Sequence, residues 1–276
     1  MTETPGIDRV RARSFGAAAA DYDKYRPRYP DRLVDDVVAT LPGRRVLEVG
    51  AGTGIATAAF AARGMVMSCI EPDAQMAAVL SAKLAADADL HRYVATFEEW
   101  SAARPAGASG FDGLISAQAW HWTDPTTRWA YAGAAVRSGG TIALFWNEDH
   151  HADPRVLDAF TAAYDSRGIE IRVVGNEPVP SSDPDKIVNQ RRPDGWPEAH
   201  AEADEYFTNL RTYQYHWTDR MSVSDYVARI NTTSAHLILS PEARDDVTAE
   251  LIATLTRYGD EIELAMTTDL AMAVGR

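Results

Sequence analysis

Val46-Leu47-Glu48-Val49-Gly50-Ala51-Gly52-Thr53-Gly54 is the stretch whose reading decides the fold. A short run with strand preference meets three glycines at alternate positions, and the chain from Ile55 onward is Ala-rich and helical in pattern. Glycine reaches left-handed backbone angles without steric cost and lets the backbone approach a ligand closely. The stretch therefore predicts a strand, a tight turn and a helix, Gly54 to Arg63. A nicotinamide-type fingerprint would place its third glycine at position 55, which is Ile55. Glu48, two residues ahead of the first glycine, repels a pyrophosphate and suits a cation. Read alone, the turn is also compatible with a purely structural role.

Outward from it, β-rich runs alternate with helical ones. Arg45 to Val49, Met65 to Ile70, Leu90 to Ala95, Phe111 to Ser116 and Thr141 to Trp146 read as strands. Asp73 to Ala86, Glu98 to Ala103 and Pro125 to Arg137 read as helices between them. Such alternation predicts a parallel sheet covered on both faces, and right-handed crossovers make it doubly wound. After Asn147 the pattern breaks. Val156 to Ser166 is helical, and residues 168–203, rich in Pro, Asp and Gly, predict a surface insertion. Tyr206 to Trp217 reads as a strand. Ser222 to Ile230 and Pro241 to Tyr258 read as helices, the second with Ser240 as N-cap and Pro241 in its first turn. Glu261 to Val274 holds the last strand. The division expected is an N-terminal arm or lid (1–30), a cofactor-binding core (31–147), a lid insertion (148–205) and the remainder of the same domain (206–276).

Composition narrows the functions. The chain has 276 residues, with 27 Lys+Arg against 40 Asp+Glu, a net charge of −13. Phosphate-binding surfaces need Lys and Arg, so a nucleic-acid partner is not expected. A single cysteine, Cys69, excludes a disulfide scaffold. No run of about 18 apolar residues is present to span a membrane, and Ala17 to Ala20 is too short for a signal-peptide core, so a cytoplasmic location is expected. Residues 1–30 run against the trend, with a net of +2. Such an arm suits an anionic substrate, or is only a solvated helix face.

Glu71 ends the second strand, 21 residues after Gly50. A carboxylate there is suited to accept both ribose hydroxyls of an adenosine, although Glu71-Pro72-Asp73 also opens a helix and would favour its dipole.

Glu48 with Gly50, Gly52 and Gly54, followed by Glu71, resembles the class I S-adenosylmethionine-dependent methyltransferases. Ala95-Thr96-Phe97-Glu98-Glu99 resembles the family's adenine-contacting turn. Phe111-Asp112 through Ser116-Ala117-Gln118-Ala119-Trp120-His121-Trp122, Ser138-Gly139-Gly140 before strand five, Trp146-Asn147 at its end, and Tyr22 with Tyr25-Arg26-Pro27-Arg28-Tyr29-Pro30 are similar to the type 11 subgroup, which includes trans-aconitate methyltransferases and many small-molecule methyltransferases. The resemblance covers residues 15–147. It implies an α/β fold: a doubly wound, seven-stranded Rossmann-like sheet with the last strand antiparallel, an N-terminal helical arm and a lid inserted after strand five.

The resemblance also implies roles. S-adenosylmethionine would be held by Glu48, Gly50, Gly52, Thr53, Gly54, Glu71, Pro72, Met76, Phe97, Glu98 and Gln118, and S-adenosylhomocysteine would be the product. Tyr22, Arg26, Trp120, Trp122, Trp146 and Asn147 would face the acceptor. Arg26 and Arg28 are suited to a carboxylate, on the acceptor or the cofactor. His121 is the candidate base, because imidazole titrates near neutral pH. Glu148, Asp149, His150 and His151 follow strand five, where catechol-type methyltransferases bind metal. Gln118 and Ala119 stand where that chemistry needs an acid after strand four, so no metal is expected. The function expected is methyl transfer to an oxygen of a small molecule. A macromolecular acceptor, or a non-catalytic protein that binds the cofactor and regulates a partner, are the alternatives.

Overall fold

The computed structural model describes residues 15–86, 89–105, 108, 110–169 and 202–276. Five strands follow the expected order: β1 (Arg45–Val49), β2 (Val66–Ile70), β3 (Leu90–Tyr93), β4 (Phe111–Ala117) and β5 (Val136–His151). Helices Ile55–Ala61, Ala74–Lys83, Phe97–Ala103 and Arg128–Ala135 connect them. β6 (Phe207–Ser222) and β7 (Glu261–Gly275) complete a seven-stranded sheet of order β3-β2-β1-β4-β5-β7-β6. β7 runs antiparallel to both of its neighbours, and the other pairings of the sheet are parallel. This is the doubly wound Rossmann-like sheet with a reversed last strand.

β1 and β4 are buried along almost their full length, as strands of a parallel sheet covered on both faces must be. On one face Leu33, Val34 and Val37 of helix Asp31–Val38, with Phe60, pack on Val46, Ile115 and Phe145. On the other, Phe97, Trp120 and Trp129 cover Leu47, Leu114 and Leu144. A third cluster lies past the end of the parallel strands. There Phe160, Tyr164, Val227 and Leu251 close over Leu264 and Met266 of β7. Strand order reverses between β1 and β4, so the chains leaving their carboxyl ends diverge and open a crevice.

Three expectations change. β5 does not stop at Trp146: it runs to His151, because β7 pairs with it continuously from Thr141↔Val274 to His151↔Leu264. Glu148 to His151, expected in a loop, are strand residues, and His151 is buried with its Nε2 2.7 Å from the Tyr226 hydroxyl. Nor does Ser138-Gly139-Gly140 precede β5. It forms a bulge inside it, where pairing jumps from Phe111↔Val136 to Gly113↔Thr141 around Gly139 at φ 75°. The expected insertion at 148–205 begins as ordered structure, the rest of β5 and helix Pro154–Asp165 capped by Asp153. Its central part, 170–201, and arm residues 1–14 lie outside the described residues.

Candidate active site

The crevice holds a cavity of about 650 Å³. Its floor is the glycine turn. The N–H groups of Gly50 and Ala51 both donate to the carbonyl of Ile70, at 2.9 and 3.0 Å, which hooks the turn onto the end of β2. Gly50 sits at φ 72°, and a Cβ there would lie 2.3 Å from that of Ala119, so no side chain fits. Gly54, at φ 80°, begins the following helix, with Leu80 packed against its α-carbon.

Glu71 stands at the rim. Its Oε2 accepts the Gly52 N–H at 2.7 Å and its Oε1 the Asp73 N–H at 2.9 Å. Burial raises its pKa to about 7, and these two N–H donors oppose the rise. Asp73 caps helix Ala74–Lys83 by accepting from the N–H groups of Gln75 and Met76. That cap directs Met76 into the cavity. Thr96 and Glu99 form a capping box at the next helix, which sets Phe97 and Glu98 on the opposite wall. Glu98 Oε1 accepts the Asp124 N–H at 2.8 Å and so ties this wall to the segment after β4.

That segment carries Gln118 and His121. Gln118 is held at φ 61°, its N–H on the carbonyl of Phe145 and its side-chain Nε2 donating to the carbonyl of Asn147 at 2.9 Å. His121 belongs to a short turn, Trp120–Trp122, and is exposed to the cavity. The surrounding protein and the Arg128 guanidinium hold its pKa below the ordinary 6.5. It is neutral at pH 7 and able to take a proton.

The N-terminal arm forms the roof. Phe15 meets Tyr22 and Trp122 edge to face, with ring centroids 5.8 and 6.3 Å apart. Asp23 of helix Ala19–Tyr25 pairs with Lys83, and Arg26 donates from Nη2 to the carbonyl of Thr232 at 3.1 Å. Phe15, Tyr22 and Arg26 all line the cavity.

Of the residues singled out from sequence, Gly50, Gly52, Glu71, Pro72, Met76, Phe97, Glu98, Gln118, His121, Trp122, Tyr22 and Arg26 line this cavity. Glu48, Thr53, Gly54, Trp120, Trp146 and Asn147 do not. Glu48 is 1% exposed, beneath the glycine turn, where its Oε2 accepts the Thr57 hydroxyl at 2.6 Å. Burial raises its pKa to about 8, which favours the neutral acid over the anion expected. Trp120 is buried against Trp129 and Phe97. Trp146 packs on the core face that they share. Asn147 is a junction: it accepts the Thr268 hydroxyl at 2.6 Å and donates to the carbonyl of Arg28 at 3.2 Å. Arg28 is exposed and paired with Asp23. Asp73, Asp124, Thr233 and Ser234 also line the cavity and were not foreseen. Asp73 had a legible signal as an N-cap. The pair Thr233-Ser234 arrives from a distant helical segment and had none.

Residues 47–144 match the profile of a family described as a methyltransferase domain. That match spans the glycine turn, Glu71, Gln118 and His121. A curated relative, an uncharacterized methyltransferase of Mycobacterium tuberculosis, is 36% identical to it over 134 residues, 49% of this chain and 52% of the relative. The chain thus spans about half the length of the curated relatives that it matches. Among solved structures, a protein designated a type II methyltransferase from Anaeromyxobacter dehalogenans superposes with a TM-score of 0.57 at 21% identity, covering 91% of this chain and 98% of that one. The phosphoethanolamine N-methyltransferase 2 of Haemonchus contortus, in complex with phosphomonomethylethanolamine and S-adenosylhomocysteine, superposes with a TM-score of 0.50 at 14% identity, covering 94% of this chain and 57% of that one. At these identities the likeness is one of fold. Among the described residues no helix is long and apolar enough to cross a membrane.

Proposed function

We propose that this chain transfers the methyl group of S-adenosylmethionine to an oxygen, hydroxyl or carboxylate, of a small-molecule acceptor. One observation carries the reading: Glu71, fixed by two backbone N–H groups, faces the same cavity as the glycine turn and His121. When bound, the cofactor supplies an electrophilic methyl group on a sulfonium. The protein's work is then alignment and exclusion of water.

In this reading Glu71 accepts the ribose hydroxyls, Met76 and Phe97 flank the adenine, and Gly50 and Gly52 let the cofactor lie on the backbone. Tyr22 and Trp122 wall the acceptor end, and Phe15 shuts the arm over it. His121, neutral at pH 7, takes the proton of a hydroxyl acceptor. A carboxylate acceptor is already ionised, and His121 then only positions it. A roofed cavity of about 650 Å³ supports a small acceptor over a macromolecular one.

The test is incubation of the purified chain with S-adenosylmethionine and a panel of hydroxyl, carboxyl, amine and thiol metabolites, with S-adenosylhomocysteine and methylated product read by mass spectrometry. Product from an oxygen acceptor is the expected result. Product from amines or thiols alone overturns the oxygen assignment, and cofactor binding without any product overturns catalysis.

A further inference from the structure

We infer that Arg26 is the carboxylate-binding group of the cavity. The inference rests on the methyltransferase reading, which brings two sources of a carboxylate to the site: the amino-acid end of the cofactor and an acidic acceptor.

Acids outnumber bases 40 to 27 in this chain, so an arginine without an acidic partner is conspicuous. Arg28, two residues on, is spent on Asp23. Arg26 makes no ion pair among the described residues. Its Nη2 reaches the carbonyl of Thr232, and its Nε is buried with no hydrogen-bond partner. An orphaned, buried N–H on a charged group is costly, and no acid among the described residues offsets that cost. The Tyr22 ring, 4.8 Å from the guanidinium carbon, supports the group by a cation–π contact. A guanidinium offers a planar fork of donors that matches a carboxylate in two hydrogen bonds.

The surroundings fit an anion as well. Ser234, two residues past the carbonyl that anchors Arg26, lines the same cavity and brings a hydroxyl, while the Thr233 hydroxyl is spent on the carbonyl of Ile230. The acids of the cavity are engaged elsewhere. Glu71 and Asp73 accept backbone N–H groups at the end of β2 and the start of the helix after it. Glu98 accepts from the segment after β4, Glu99 from the Thr96 N–H of its capping box, and Asp124 from the N–H and hydroxyl of Thr126. The anion that satisfies Arg26 is therefore left to the ligand.

The test uses calorimetry on the full chain and on Arg26→Gln, with Arg26→Lys as the charge-retaining control and thermal melting to establish folding. The probes are S-adenosylhomocysteine, its decarboxylated analogue, and, on the protein saturated with S-adenosylhomocysteine, a series of simple carboxylates from acetate to citrate. If the cofactor is the source, the wild type prefers the carboxylated form by about tenfold or more, and Arg26→Gln erases that preference. If the acceptor is the source, Arg26→Gln binds S-adenosylhomocysteine normally but loses at least tenfold in affinity for the carboxylates. Either result supports the assignment. A folded Arg26→Gln protein unchanged in both arms overturns it and leaves Arg26 as a cation at the end of helix Val223–Asn231. The readout is binding alone, so a wild type that binds these probes but yields no product sinks the proposed activity without touching Arg26.

Discussion

The N–H of Gly52 donates to Oε2 of Glu71 at 2.7 Å, across the gap between the β1 and β2 turns. The glycine turn and the carboxylate suited to ribose are thereby one rigid unit, set before any ligand arrives. The same bond keeps Glu71 oriented in a partly buried place that raises its pKa to about 7.

In the proposed binding mode Glu71→Ala removes two charge-assisted hydrogen bonds to ribose, each worth about 1.5–3 kcal/mol before non-additivity. S-adenosylmethionine affinity, read by calorimetry, is expected to fall at least roughly tenfold. Unchanged affinity in a folded variant would remove the ribose assignment.

The pH dependence of that affinity follows from the same group. The ionised carboxylate accepts both hydroxyls and the protonated one accepts less. Wild-type affinity is therefore expected to strengthen as pH rises from 6 to 8 through the Glu71 pKa of about 7, and to flatten above it. Glu71→Gln, which cannot ionise, is expected to show no such rise. A rise that persists in Glu71→Gln would assign the titration to another group.

His121→Ala is expected to lower turnover on a hydroxyl acceptor by about 10²–10⁴-fold, with cofactor affinity little changed. The wild-type rate should climb with pH through a pKa below 6.5 and then level off, because its neighbours disfavour the imidazolium. The variant should lose that limb. Equal turnover by variant and wild type would exclude His121 as the base.

Glu48 predicts a stability effect. Its folded pKa of about 8 lies above the ordinary 4.5, so folding takes up a proton between those values. Its contribution is fully present below pH 4.5 and is lost as pH rises towards 8, with a slope of at most about 1.4 kcal/mol per pH unit. Glu48→Gln keeps an acceptor for Thr57 without the titration. Denaturant melts of the variant should be flatter over this range than those of the wild type, and identical slopes would count against a protonated Glu48.

Removing residues 1–25 takes away the roof while sparing Tyr29, whose ring packs edge to face on Phe145 at 4.8 Å. Turnover should be lost while the circular dichroism of the sheet persists. A fully active truncation would reduce the arm to decoration.

The sheet was legible because short β-rich runs alternate with helical runs from 45 to 135, two of the helices opened by the side-chain caps Asp73 and Thr96. Glu71 and the glycines were legible because their chemistry is local to one turn. What no spacing reveals is the burial of Glu48 beneath the turn and its bond from the Thr57 hydroxyl, both settled by packing. Trp120 sits two residues from Trp122, yet one is core and the other cavity wall, since a short helical turn points them apart. Thr233 and Ser234 reach the cavity through helix–arm packing, which leaves no mark on either segment alone.

The register of β7 sets an order of events. Phe145 of β5 pairs with Leu270, and Tyr213 of β6 pairs with that same Leu270, so β5 and β6 have no direct bond to each other. Until β7 is synthesised, a nascent chain carries two long strands with open edges, the kind of surface on which chains mispair. The pairings that finally close it span more than a hundred residues of sequence, which is slow work for a diffusing chain. Sheet closure, rather than formation of the glycine turn, is therefore the step that covers the last open strand edges.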